Sequence, residues 1–173
     1  ARYATYHLQL RPGTNVAVLN MMLYFIMNEG LEDKQFIESR TEGYEDIRAH
    51  VMKMDIDELE KICGVEKELV RSAAIAYASA PNAMSFHGLG VTEHSQGNYT
   101  VMLIADLAMI TGNIGRRGVG VNPLRGQNNV QGAADMGCQP HQGAGYLDIT
   151  NTAYHHLYED FYHAKLPLHA GYK

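Results

Sequence analysis

Apolar residues recur at helical spacing in several segments of the chain, and each segment is bounded by residues that start or end helices. The longest of these runs from Val16 to Glu29, and Gly30 follows it as a left-handed C-cap. Shorter segments with the same spacing predict further helices. These segments are 33–39, 44–52, 55–63, 66–78 and 98–110. The chain is therefore predicted to be rich in helix.

A short apolar run interrupts this helical pattern and predicts a β-strand. Ala83 to His87 reads as a buried strand, and the sequence Gly88-Leu89-Gly90 follows it directly. A strand, a glycine-rich turn and then a helix is the order found in a nucleotide-binding α/β unit. The predicted fold class is α/β: a Rossmann-like three-layer domain with a parallel sheet, flanking helices and a high helix content. The GLG sequence alone is a weak signal, because the full GxGxxG pattern is absent.

The segment from Gly112 to Gly137 differs in composition from the predicted helices. It is rich in glycine and carboxamides, has few large apolar residues and contains Arg116, Arg117 and Arg125. Backbone N–H groups, amides and guanidinium groups bind phosphates and polar heterocycles. Long irregular segments are uncommon in compact domains unless they are functional or disordered. We interpret the segment as a functional loop, with a helix opened by amides over 128–136.

Composition and charge narrow the classes of function. The 173 residues are 46% hydrophobic and 19% charged, which is typical of a globular protein with a real core. The formal charge of −5 gives no reason to expect nucleic acid as a partner. The apolar run from Val16 to Met27 is too short for a membrane span. Cys63 and Cys138 lack CxxC spacing and predict neither a zinc site nor a cluster site, and a disulfide between them stays open.

Histidines near the C-terminus raise the alternative of a metal site. His156 and His163 are two helical turns apart, and no carboxylate or thiolate completes a known ligand pattern around His155. We interpret all three as surface histidines and expect no metal ligand in this chain.

Several motifs, in the right order, resemble one enzyme family. The RGQNNVQG sequence at 125–132, within the glycine-rich segment, closely resembles the molybdopterin oxidoreductases, and within them the catalytic (alpha) subunits of formate dehydrogenases. Three further stretches resemble the same family. They are LQLRPGTN at 8–15, FIESRTEGY at 36–44 and GLGVTE at 88–93. The resemblance covers the chain to about Gly145 and is loose beyond it.

The resemblance implies a larger enzyme that oxidises formate to carbon dioxide. Its cofactor is a molybdenum or tungsten ion bound by two molybdopterin guanine dinucleotides, and a [4Fe-4S] cluster is expected outside this chain. The implied partners are formate, the remaining domains of the same polypeptide and electron-transfer subunits. We expect no nucleic acid, no membrane span and a cytoplasmic location.

The same resemblance implies that this chain is an internal fragment. Residues 1–127 correspond to an α/β domain that binds molybdopterin guanine dinucleotide. Residues 128–173 correspond to a crossover and the start of a second, truncated α/β domain. The residue that ligates the metal lies upstream of this domain in the family, so we expect the chain to be inactive by itself.

Individual residues receive roles from the resemblance. Arg125 matches an active-site arginine and Gln127 lies beside it, so both are catalytic candidates that orient formate. The candidates for cofactor binding fall in three places. They are Arg11, Gly13 and Asn15; Gly88, Leu89, Gly90 and Glu93; and Gly126. Glu93 stands where the family usually has glutamine, and Asn15 replaces an often-seen aspartate.

Two other interpretations of the chain stay open. It could belong to another enzyme of the family, such as a nitrate reductase, although RGQNNVQG favours formate. It could also be a standalone domain without catalysis that binds a nucleotide or a partner protein.

Overall fold

The computed structural model describes residues 2–172 and divides the chain into two compact units. The first unit ends at Leu124 and the second begins at Arg125. The domain assignment implied by the resemblance, with its boundary after Gln127, stays a prediction.

Helices dominate the first unit, as the apolar spacing predicts. They are α1 (Asn15–Asn28), α2 (Lys34–Arg40), α3 (Tyr44–Val51), α4 (Ile56–Cys63), α5 (Lys67–Ser79), α6 (Leu89–Thr92) and α7 (Gly97–Ile110). Short polar side chains cap two of the predicted N-termini: Asp33 accepts from the N–H of Phe36 at 2.9 Å, and Asp55 accepts from two N–H groups of α4. Of these seven helices, all except the single turn α6 were predicted from the sequence.

The core of the first unit is built around α1. This helix packs against α3, α4, α5 and α7, and side chains on most of its circumference are buried. They are Ala17, Val18, Met21, Leu23, Phe25, Ile26 and Met27. A helix that is apolar on all sides needs neighbours on all sides, which explains its central position.

Two strands form a small parallel sheet. β1 (Met84–His87) pairs with β2 (Gly120–Pro123), so that Met84 lies opposite Gly120 and His87 opposite Pro123. β1 confirms the predicted strand, but its predicted burial is wrong, because Met84 and Phe86 are 46% and 60% exposed and only His87 is buried. The helix-rich α/β class is confirmed.

β2 lies inside the segment that we interpreted as an irregular loop, and there the interpretation is wrong. A four-residue strand with a single branched apolar side chain is too short to show alternation in the sequence. It forms because it pairs with β1, and this pairing cannot be seen from the neighbouring residues.

A buried amide joins the end of α7 to the start of β1. The Asn113 side chain, 1% exposed, accepts from the N–H of Ala83 at 3.0 Å and donates to the Thr111 hydroxyl at 2.9 Å. Arg116 donates to the Asn113 side-chain oxygen at 3.2 Å and to the carbonyl of Pro81 at 2.9 Å. Arg116 therefore stabilises the fold, although the composition of the glycine-rich segment suggested a phosphate-binding role for its arginines.

The second unit contains two described helices, α8 (Val130–Asp135) and α9 (Thr152–Tyr162). The Asn129 side chain caps α8 by accepting from the N–H of Gly132 at 3.0 Å, which confirms the predicted amide-opened helix. The Tyr158 hydroxyl of α9 donates to the carbonyl of Ala144 at 2.6 Å and ties this helix to the chain before it.

The interpretation of the histidines is wrong for His155. This residue is 4% exposed, and its Nε2 lies 3.2 Å from a carboxylate oxygen of Glu159, one helical turn away. His156 Nδ1 lies 3.9 Å from the other carboxylate oxygen of Glu159, and its side chain is 66% exposed, as predicted. Glu159 also accepts from the N–H of Leu166 and the ammonium of Lys165, each at 3.1 Å. These two donors, the backbone N–H first, hold the pKa of the Glu159 carboxyl below its usual range.

Replacing the buried amide tests its contribution to stability. Asn113→Ala is expected to lower the free energy of unfolding by about 1–3 kcal/mol, because the N–H of Ala83 would lose its acceptor in a buried place. Urea unfolding followed by circular dichroism measures this change. The control is Asn98→Ala, at an exposed position of α7, which should change stability by less than about 0.5 kcal/mol. Equal stability of the two variants would contradict the role given to Asn113.

Candidate functional site

The carboxyl ends of the two parallel strands meet at one edge of the sheet. Gly88 follows β1 and Leu124 follows β2, and the N–H of Leu124 donates to the carbonyl of His87 at 2.6 Å. A Cβ added to Gly88 would lie 3.3 Å from the carbonyl oxygen of Leu124, so the two chain segments are close here. Ligands of open α/β sheets bind beyond this edge. The predicted cofactor turn therefore starts in the position that such ligands favour.

The turn from Gly88 to Glu93 forms the short helix α6. The carbonyl of Gly88 accepts from the N–H groups of Val91 at 3.0 Å and Thr92 at 3.2 Å. Leu89, Gly90 and Glu93 are exposed, so the turn presents backbone and one carboxylate to the outside. The first N–H groups of a helix have no acceptor within it, and they are available to a ligand.

Gly90 is a glycine that the described structure does not require. A Cβ there would meet no atom within 4 Å, and its φ lies outside the left-handed region. Glycine also lowers helix stability relative to alanine. A glycine with open space beside it leaves the backbone accessible to a ligand. Cofactor binding at this turn stays a prediction.

Gly97 gives the opposite case. A Cβ on this first residue of α7 would lie 2.3 Å from the carbonyl oxygen of Thr92, which is a severe overlap with backbone. Packing of α6 on α7 explains this glycine without any ligand. The sequence does not separate the two glycines, because the crowding at Gly97 comes from the fold of the turn.

The turn before α1 holds the second group of cofactor candidates. The Arg11 guanidinium donates to the carbonyls of Lys61 and Ile62, the second at 3.3 Å. A cation at the C-terminal end of α4 satisfies carbonyls that the helix leaves free. Gly13 has a φ of +84°, so its own backbone requires glycine, and Asn15 is the half-buried first residue of α1. Their contact with a cofactor stays a prediction.

The catalytic candidates lie at the start of the second unit. Arg125, Gly126 and Gln127 are all exposed and precede α8. Arg116 has protein acceptors, whereas the Arg125 guanidinium has none among residues 2–172. Of the arginines in the glycine-rich segment, Arg116 uses its donors in the fold, whereas Arg117 and Arg125 are exposed and have no acceptor among residues 2–172.

The FIESRTEGY stretch lines a cleft that the sequence did not assign to a site. The cleft has a volume of about 710 Å³ and lies among α1, α2 and α3. In it, the Tyr44 hydroxyl donates to a Glu32 carboxylate oxygen at 2.7 Å. Burial, and then this hydrogen bond, raise the pKa of Tyr44 to about 12. Tyr44 therefore stays neutral at physiological pH and acts here as a donor.

The described residues contain neither a cluster of metal ligands nor a membrane-spanning helix. No three His, Cys, Asp or Glu side chains converge there as a set of metal ligands. None of the helices in that part of the chain is both long and apolar enough to cross a membrane.

Comparison with known proteins places the chain among relatives. The sequence profile for molybdopterin oxidoreductases matches residues 1–165. Formate dehydrogenase H of Escherichia coli (strain K12) is 44% identical over 174 aligned positions, an alignment that covers 100% of this chain and 24% of that protein. The alpha subunit of a formate dehydrogenase from Methanocaldococcus jannaschii is 44% identical over 171 residues, 99% of this chain and 25% of that subunit. The chain thus spans about a quarter of the length of these curated relatives.

One solved structure supports the fold independently. Acetylene hydratase from Pelobacter acetylenicus superimposes with a TM-score of 0.61 and 26% sequence identity, over 68% of this chain and 16% of that one.

The two glycines give a matched test of the turn. Gly90→Ala should leave the free energy of unfolding within about 0.5 kcal/mol or raise it, because the added methyl meets open space and favours helix. Gly97→Ala should lower it by more than about 2 kcal/mol, because the methyl overlaps a carbonyl oxygen. Urea unfolding of both variants decides this. A large loss for Gly90→Ala would show that the fold itself needs that glycine.

Proposed function

The chain belongs to the molybdopterin oxidoreductase family, and on this premise we propose that it is part of the catalytic subunit of a formate dehydrogenase. In this proposal Arg125 binds the formate carboxylate, and Gln127 helps to orient it. The 44% identity to two formate dehydrogenase subunits over nearly the whole chain supports this choice within the family.

The observation that carries the proposal is that Arg125, the arginine of the RGQNNVQG motif, has a free guanidinium. Arg117 is likewise exposed and free within the described residues, so the motif is what singles out Arg125. Formate is a small planar carboxylate, and a guanidinium can hold it with two parallel charge-assisted hydrogen bonds. This geometry fixes the direction of the formate C–H bond, which a single point charge such as lysine would leave free. An arginine with acceptors in the fold, such as Arg116, would have to break hydrogen bonds before it could bind substrate.

Gln127 is an exposed amide close to Arg125 in the chain. A carboxamide offers both a donor and an acceptor, so it can hold a formate oxygen or a polar edge of the cofactor. Gly126 between them leaves the backbone open to approach. The three residues together form the substrate side of the proposed site.

Family membership implies a molybdopterin cofactor. We propose the form with two guanine dinucleotides and a molybdenum or tungsten ion, which when bound supplies the redox centre at which formate is oxidised to carbon dioxide. Gly88, Leu89 and Gly90 would hold one dinucleotide through exposed backbone, and Glu93 could accept from N–H groups of a guanine or pterin. The turn with Arg11, Gly13 and Asn15 would border the other. A [4Fe-4S] cluster and electron-transfer subunits would lie outside this chain.

Replacing Arg125 in the complete enzyme tests the substrate role. Arg125→Lys keeps the charge but removes the planar fork, so kcat/KM for formate should fall about 10- to 150-fold, the loss of about 1.5–3 kcal/mol for charged hydrogen bonds. Steady-state formate oxidation with a dye acceptor measures it, and metal analysis checks that the cofactor is loaded. Arg117→Lys, an exposed arginine of the same segment, is the control and should change kcat/KM less than about twofold.

Three results would contradict the proposal. An unchanged kcat/KM in Arg125→Lys would remove the substrate role from Arg125. Oxidation or reduction of another substrate, such as nitrate, with no activity toward formate would assign the chain to a different enzyme of the family. Formate-dependent dye reduction by the 173 residues alone would contradict the proposal that the chain is one part of the active subunit.

A further inference from the structure

Helix α8 follows the catalytic candidates in the chain and has no packing of its own to hold it. It spans six residues, Val130–Asp135, and none of its side chains is buried. A helix this short is not stable in water by itself. Its position therefore depends on hydrogen bonds at its two ends.

The contacts at the N-terminal end of α8 are local. The Asn129 side chain accepts from the N–H of Gly132 at 3.0 Å, and the Asn129 carbonyl accepts from the N–H of Ala133 at 3.0 Å. Arg125 and Gln127 lie just before this cap in the chain. The cap shapes the start of the helix, but it does not tie the helix to a distant part of the second unit.

The C-terminal end of α8 is tied to a turn that lies further along the chain. The Asp135 carbonyl accepts from the N–H of Gly145 at 2.9 Å, and the Asp135 carboxylate accepts from the Tyr146 hydroxyl. The same turn is joined to α9, because the Tyr158 hydroxyl donates to the carbonyl of Ala144 at 2.6 Å. This turn therefore fixes α8 within the second unit.

Tyr146 adopts a backbone conformation that tyrosine rarely takes. Its φ is +66°, in the left-handed region, which favours glycine and strains a residue with a bulky side chain. Since glycine would form the turn more easily, the bond of the tyrosine side chain to Asp135 accounts for this residue. That bond also raises the pKa of Tyr146 above its usual value, so the hydroxyl keeps its proton at physiological pH.

We propose that Tyr146 is a positioning residue for Arg125 and Gln127, and that it acts through Asp135. Its hydroxyl holds α8, and α8 holds the chain segment that leads into it. The proposal rests on the proposed function, because it takes Arg125 and Gln127 as the residues that bind formate. Groups that orient a substrate must be held before the substrate arrives, since a small displacement of them lowers the rate.

Substitutions on both sides of the bond test this in the complete enzyme. Tyr146→Phe removes the hydroxyl alone, Asp135→Ala removes the acceptor, and a double variant removes both. Asp135→Asn keeps an oxygen that can accept, so it is the conservative variant that should restore the contact. His163→Gly is the matched control, because His163 is the other described non-glycine residue with a left-handed backbone and lies at the C-cap of α9.

Hydrogen exchange of the peptide 125–136, followed by mass spectrometry, measures the anchoring without substrate. Tyr146→Phe and Asp135→Ala should each exchange at least about fivefold faster than the wild type, because α8 opens more often. The double variant should exchange no faster than the single variants, since both remove the same bond. Asp135→Asn and His163→Gly should stay within about twofold of the wild type.

Formate oxidation by the metal-loaded variants measures the positioning. kcat/KM should fall at least about tenfold in Tyr146→Phe and in Asp135→Ala, with no further loss in the double variant. Asp135→Asn and His163→Gly should stay within about twofold of the wild type. An equal loss in Asp135→Asn, or losses that multiply in the double variant, would overturn the proposal. Faster exchange with an unchanged kcat/KM would also overturn it.

The two measurements separate this proposal from the proposed function. A wild-type enzyme that does not oxidise formate would contradict the proposed function. The exchange rates would then still decide whether Tyr146 anchors α8: faster exchange in Tyr146→Phe would support the anchoring, and wild-type exchange would overturn it. Equal formate oxidation by the wild type and Tyr146→Phe would support the proposed function and overturn the positioning role of Tyr146.

Discussion

The arrangement of the first unit depends on the hydrogen bonds of one buried amide. Asn113 satisfies the N–H of Ala83, and this contact fixes where the chain enters β1 after α5 ends. The entry point sets the position of β1, and β1 in turn gives β2 its only described partner. The carboxyl edge of the sheet, with Gly88 at its end, follows from that register. A buried polar side chain with all its partners specifies one arrangement more sharply than apolar packing does.

The arginines differ in whether the fold uses their hydrogen-bond donors. Arg116 completes the Asn113 network, and Arg11 satisfies carbonyls at the end of α4. Both guanidinium groups therefore stabilise the fold of the first unit. Arg125 has no such partner in the described part of the chain, and its donors remain available to an anion. The distinction depends on hydrogen bonds between distant residues, and the composition of the glycine-rich segment does not contain it.

Several elements with a local signal were predicted from the sequence. They include the long apolar helix α1, the helices over 33–39 and 128–136 and the strand after Pro81, because each depends on neighbouring residues. Helix α9 was missed, although Asn151 caps its N-terminus. β2 was not predicted, because a four-residue strand with one branched apolar side chain depends on its pairing with β1.

At the candidate site, too, the sequence does not show the features that depend on tertiary contacts. His155 is buried and lies 3.2 Å from Glu159, one helical turn away, and the number of histidines in the sequence does not show this. The roles of Arg125, Gln127 and the cofactor turns came from the resemblance of motifs to a family. The structure adds which glycines and arginines the fold itself uses, and so narrows the set that a ligand can explain.

The central claim is that Arg125, whose guanidinium is free, binds the substrate, while Arg116 stays bonded within the fold. A structure of the complete enzyme with bound formate tests it most directly. The account predicts formate oxygens within about 3 Å of the Arg125 guanidinium, with Arg116 still bonded to Asn113 and Pro81. Formate bound away from Arg125, or Arg116 released from Asn113 to hold it, would contradict the account.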